Sequence, residues 1–116
     1  MASSPTQRTL KKLRDDGWHA TVVERWNPHA KIRQDLFGFI DVLGLCEDRG
    51  LIGIQATSAS NKSSRVKKIL GTPLAKTWVA AGNQLEVWGW VKRKAPDSNR
   101  IKWQPIIEII TTQSFV

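Results

Sequence analysis

Two apolar segments joined by a short turn, each interrupted by one buried-looking polar side chain, set the frame for the rest of this sequence. DLFGFIDVLGL, residues 35 to 45, is apolar on both alternating faces, the pattern of a central strand covered on both sides. Leu36, Ile40 and Val42 alternate there against Phe37, Phe39, Asp41 and Leu43. Glu47-Asp48-Arg49-Gly50 is a turn signal, and LIGIQATS, residues 51 to 58, returns as a second, antiparallel strand. Asp41 in the first strand and Gln55 in the second are the polar exceptions.

The flanking elements follow from local pattern. Residues 5 to 16 read as a helix, with Ser4 as cap, Pro5 in the first turn, Leu10 and Leu13 on one side, and Gly17 as the stop. HATVVERW, residues 19 to 26, alternates as a strand with Val22, Glu24 and Trp26 on one face, and Asn27-Pro28-His29 breaks it. Arg65 to Leu70 forms a short basic helix ending at Gly71, and Pro73 to Ala81 starts another helical stretch that Gly82 stops. QLEVWGWVKR, residues 84 to 93, is a strand with one aromatic face; APDSN is a turn, and residues 100 to 110 make a last strand, which Pro105 assigns to an edge. The order is helix, three strands, helices, two strands. One α/β domain over residues 1 to 116, with a central mixed sheet flanked by helices, accommodates it.

Charge narrows the partners. The chain carries 18 Lys and Arg against 10 Asp and Glu, a net charge of +8, and such an excess on a small domain favours a polyanion through counterion release. One cysteine, Cys46, excludes an intrachain disulfide and a Cys-rich zinc site. No apolar run approaches the ~20 residues of a membrane helix, and the N-terminus lacks the apolar stretch of a signal peptide. A cytoplasmic protein is the expectation, and a free-standing domain of this size is compatible with a phage or mobile-element origin.

A carboxylate inside an apolar strand is costly unless paired, protonated or bound to a metal. Pairing around the 46–50 turn lets Asp41 and Gln55 lie as cross-strand neighbours, with Thr57 on the same face as Gln55. Glu24 can project into the same place from the preceding strand. Oxygen ligands of this kind suit Mg²⁺ or Mn²⁺. Asp35, six residues before Asp41, shares its face but would lie ~20 Å away in an extended strand; a bulge at Gly38 would shorten that gap.

GFIDVLGL, a turn, then LIGIQATS resembles the PD-(D/E)XK nuclease superfamily, which includes restriction enzymes and Holliday junction resolvases. Its αβββαβ core is the order read here, so the resemblance covers about residues 5 to 92. It implies that Asp41 is the metal-binding Asp, Gln55 the second acidic position and Thr57 the lysine position. Ala56 would lend its carbonyl to the metal, and Glu24 is similar to an additional upstream glutamate. Gln55 is neutral, and Thr57 cannot do the lysine's electrostatic work. Either a lysine has migrated, with Lys62 the first candidate and Lys67 or Lys68 next, or catalysis is weakened or lost. The resemblance further implies a divalent-metal-dependent endonuclease acting on duplex or branched DNA as a homodimer. The rival is a nuclease-fold DNA-binding module without catalysis; an RNA-binding protein would explain the charge but not Asp41 and Gln55.

The densest basic segment, residues 61 to 68, offers Lys62, Arg65, Lys67 and Lys68 to phosphates. Arg33 lies just before Asp35, as a phosphate contact or its ion-pair partner, and His29 sits at the open end of the first strand. Six tryptophans are present; Trp88 and Trp90 share a strand face, with Trp103 across from them, to stack bases, form a dimer contact or pack under a helix.

Overall fold

The computed structural model describes residues 4–97 and 99–116. Helix α1 (Pro5–Asp15) starts where Ser4 Oγ accepts the Gln7 N–H at 3.2 Å, and it buries Thr9, Leu10 and Leu13. The strands are β1 (His19–Val22), β2 (Arg25–Asn27), β3 (Ile32–Gln34), β4 (Val42–Cys46), β5 (Gly50–Ser58), β6 (Gln84–Lys94) and β7 (Ile101–Ile110). Helices α2 (Lys62–Leu70) and α3 (Pro73–Ala80) lie between β5 and β6.

Five strands form one sheet in the order β1-β4-β5-β6-β7, and β2 and β3 form a separate ribbon. Pairing is antiparallel at β1–β4, β4–β5 and β6–β7 but parallel at β5–β6. The parallel pair requires a crossover, and residues 59–83 supply it through α2 and α3. The fold is therefore α/β with a mixed central sheet flanked by helices. β7 is an edge strand, where Pro105 lacks the N–H that an interior strand would need.

Alternation along the strands sorts the core into two layers. Ile52, Ile54, Trp88 and Trp90 pack with Leu10, Leu13 and Trp18 on the α1 side. Leu85 and Val87 pack with Val66, Ile69, Trp78, Phe39 and Ile40 on the α2–α3 side. The aromatic face of β6 is thus a helix-packing face: Trp90 Nε1 donates to Thr9 Oγ1 at 2.9 Å, and Trp88 Nε1 to Glu86 Oε1 at 2.8 Å. Trp103 stays exposed beneath the Arg8 guanidinium, 3.7 Å from its ring centroid.

Two predicted strands are shorter than their patterns. The strand expected over residues 19 to 26 ends at Val22, and Arg25 begins the ribbon. Asn27 Oδ1 accepts the N–H groups of His29 and Ala30, an Asx turn that reverses the chain locally. The strand expected over residues 35 to 45 begins only at Val42. Phe37 and Gly38 take left-handed φ values of +56° and +87°, and Leu36 bridges Ile40 across the resulting turn. Phe39 and Ile40 are fully buried although Phe37 is exposed, so the apolar run reports a turn anchored in the core as well as a strand; hydrophobicity alone does not separate the two. The predicted turn over residues 95 to 99 is closed by Ala95 N–H on Arg100 O; Ser98 within it lies outside the described residues. Among the described residues no helix is long and apolar enough to cross a membrane.

Candidate metal centre

The site forms where the sheet comes apart. β4 and β5 pair from Cys46–Gly50 to Val42–Ile54, and Asp41 extends the ladder by donating its N–H to Ile54 O at 2.9 Å. Its carbonyl accepts the Val23 N–H at 2.8 Å from the end of β1. One residue earlier the chain has left the sheet, so β5 loses its neighbour beyond Ile54. The Ala56 N–H there is satisfied by the Asp41 carboxylate instead, at 2.9 Å. The contact Ala56 makes is thus through its amide, where the resemblance implied its carbonyl.

The Leu36–Ile40 bridge determines what faces Asp41. Stepping outward from that pair places Asp35 beside Asp41, not a strand length away. Glu24, two residues past the end of β1, comes in from the other side. One carboxylate oxygen from each of Glu24, Asp35 and Asp41 lies within 4.8 Å of the others. Gln55 closes the group: its Nε2 donates to Asp41 Oδ2 at 2.8 Å and to Asp35 Oδ2 at 3.3 Å. Asp41 and Gln55 are 3% and 1% exposed, so neither has bulk water to compensate it.

The electrostatics are correspondingly unfavourable for a bare carboxylate. Burial, then the hydrogen bond and charge of Asp35, push the Asp41 carboxyl from 3.8 up to about 8, with Glu24 adding to the rise and the Ala56 N–H opposing it. At neutral pH the group keeps its proton unless a cation takes that place. A second deficit points the same way: Gln55 Oε1 is buried without a hydrogen-bond partner. Rotation of the terminal amide would exchange Nε2 for this oxygen beside the carboxylates, an arrangement that needs either the Asp41 proton or a cation between them. The donor set is all oxygen, which fits Mg²⁺, Mn²⁺ or Ca²⁺ rather than a metal preferring nitrogen or sulfur.

The basic residues divide sharply. A cleft of about 650 Å³ opens beside Asp35, walled by Arg25, Arg33, Lys68 and Phe37. Arg33 also donates to Glu24 Oε1 at 3.3 Å, so its ion-pair partner is Glu24 rather than Asp35. Lys62 is not brought to the acids. Its stem packs over Gly89, where an added Cβ would come within 3.0 Å of Lys62 Cβ, and its Nζ meets Glu108 Oε1 at 3.2 Å. Glu108 belongs to β7, three strands from β4, or ~14 Å at ordinary strand spacing. Of Lys62, Lys67 and Lys68, the lysines expected as replacements on the resemblance, Lys68 is the one that lines the cleft. Thr57 itself is buried on the Gln55 face of β5. Arg65 and Lys67 lie on α2 without lining the cleft, and His29 is exposed in the ribbon turn.

Arg25 and Phe37 are cleft residues that strand reading had left out. Gly38 inside an apolar run was the available signal, since a glycine there marks a bulge or sharp bend. No family model matches the sequence, and no curated protein or solved structure gives a significant match to it.

Proposed function

We propose that this chain is a divalent-metal-dependent endonuclease that hydrolyses DNA phosphodiester bonds. The observation that carries the reading is the convergence of Glu24, Asp35 and Asp41, oxygens within 4.8 Å of one another, on a buried amide with an orphaned oxygen. Three carboxylates gathered at one point repel one another unless protons or a cation intervene, and natural sequences keep such costs at functional sites.

In this reading Asp41, Asp35 and Glu24 would hold Mg²⁺ or Mn²⁺, and Gln55 would ligate it or orient a water through Oε1. When bound, such an ion would supply Lewis-acid polarisation of a phosphate and lower the pKa of a bound water. Arg25, Arg33 and Lys68 seat the neighbouring phosphates from the cleft wall. Lys68, which lines the same cleft, would stabilise the charge that the superfamily lysine meets, since Thr57 cannot. The net charge of +8 brings the polyanion to the surface.

A second reading has one observation in its favour: Lys62 is engaged with Glu108, while the position where the resemblance implies a lysine holds Thr57. The same fold would then bind DNA without cutting it. Nicking of supercoiled plasmid and of a synthetic four-way junction, with Mg²⁺ or Mn²⁺ and with EDTA, separates the two. Metal-dependent nicking is expected from the wild type. Asp41→Ala is expected to lose more than the ~10–100-fold that an outer-shell partner costs. Nicking that survives Asp41→Ala unchanged would overturn the site, and tight DNA binding without nicking in any metal would favour the binding module.

A further inference from the structure

Phosphate binding leaves one wall of the cleft unexplained. Phe37 is 54% exposed, whereas Phe39 two residues on is fully buried. Its φ of +56° lies in a region that bulky side chains rarely occupy and that asparagine or glycine enters readily. A turn that only reversed the chain would be served better by Asn-Gly. Phenylalanine there carries backbone strain and exposes an aromatic ring, and neither contributes to the core. The ring lines the same cleft as Arg25, Arg33, Lys68 and Asp35, so an aromatic face, the cations and one acid of the cluster share one surface. Trp26, 55% exposed, sits on the adjoining ribbon directly across from Arg33.

Cations that track a backbone, interleaved with exposed rings, are what single-stranded nucleic acid requires, because every unpaired base presents a free π-face. A base inside continuous duplex has both faces covered by its neighbours and gives Phe37 nothing to stack on. We propose that Phe37 stacks on an unpaired base beside the phosphate held at the Glu24–Asp35–Asp41 cluster, so that the chain selects single-stranded, splayed or branched DNA over continuous duplex. The proposal rests on the nuclease reading for the place of that phosphate, but its test does not depend on cleavage.

The experiment uses splayed-arm DNA with 2-aminopurine at the first unpaired position, and a continuous duplex as control, both with Ca²⁺ in place of Mg²⁺ so that the acidic cluster has a cation to hold the phosphate, and with strand integrity checked on a denaturing gel. Wild-type protein is expected to quench the fluorophore and to bind the splayed DNA better than duplex. Phe37→Asn and Phe37→Leu are expected to lose the quench and to bind splayed DNA about tenfold more weakly, within the range for one stacked base. Duplex affinity should change less than twofold. Phe37→Asn should melt at or above the wild-type temperature, because asparagine accepts the left-handed backbone; weaker binding then cannot be unfolding. Equal weakening on both substrates, a quench that persists in both variants, or no wild-type preference for splayed DNA would overturn the proposal. A Phe37-dependent quench from a protein that never nicks DNA would sustain stacking and reject the nuclease reading.

Discussion

The two faces of the central sheet both bury polar side chains, and they treat them in opposite ways. On the α1 face, Trp90 donates to Thr9 and Thr9 in turn donates to Pro5 O at 2.8 Å; Trp88 donates to Glu86. These groups have found partners of complementary chemistry, so burial costs little. On the opposite face, Asp41 is surrounded by Asp35 and Glu24, and Gln55 Oε1 has no partner. The α1 face leaves Arg8 Nε without a hydrogen-bond partner, under a guanidinium that stacks on the Trp103 ring; the crowding of like charges is found on the other face. Complementary pairing marks structure; like charges gathered around an orphaned acceptor are what motivates the metal proposal.

Breaking that contrast begins with metal and pH. The folded Asp41 carboxyl lies at about 8, against 3.8 for its ordinary value, so the unfolded chain gives up this proton first. Metal-free stability should therefore fall as pH rises from 3.8 toward about 8. Mg²⁺ should raise the melting temperature, most strongly at the alkaline end where it has no proton to displace. Asp41→Asn should flatten the pH slope and abolish the Mg²⁺ shift. Melting curves across pH, with and without Mg²⁺, read all three, and an unchanged slope in Asp41→Asn would count against the cluster.

Smaller effects should follow on the satisfied face. Trp90→Phe removes the hydrogen bond to Thr9 and should cost ~1–2 kcal/mol by denaturant unfolding, while nicking per folded molecule stays at the wild-type level. The smallest change is expected at Lys62. Its side chain is 18% exposed and that of Glu108 45%, and a pair so accessible contributes ~1 kcal/mol or less. Lys62→Ala should leave nicking within a few-fold of wild type; a large loss would return Lys62 to the catalytic group.

Much of this architecture is readable from residue pattern. Period-two alternation and turn chemistry located most sheet strands, and the three helices follow from caps and stops. Cross-strand proximity of Asp41 and Gln55 followed from the hairpin around residues 46 to 50, and register pairing of Val42 with Ile54 bears it out. Asp35 was the hardest to place. Reading residues 35 to 45 as one strand sets it ~20 Å from Asp41, but the left-handed pair Phe37-Gly38 folds it back to within ligand distance. Lys62 shows the converse: near Gln55 in sequence, its ammonium is carried by α2 toward β7.

Local chemistry alone thus determined the helices, most of the sheet strands, the positive charge and the two polar exceptions in the apolar hairpin, because alternation, capping and turn residues act over a few positions. Which acids share a cavity, which lysine reaches the cleft and which aromatic ring stays uncovered were decided by tertiary structure. Those outcomes depend on where one turn ends a strand and on the side of the sheet a helix crosses, and both are set by packing between residues distant in the chain.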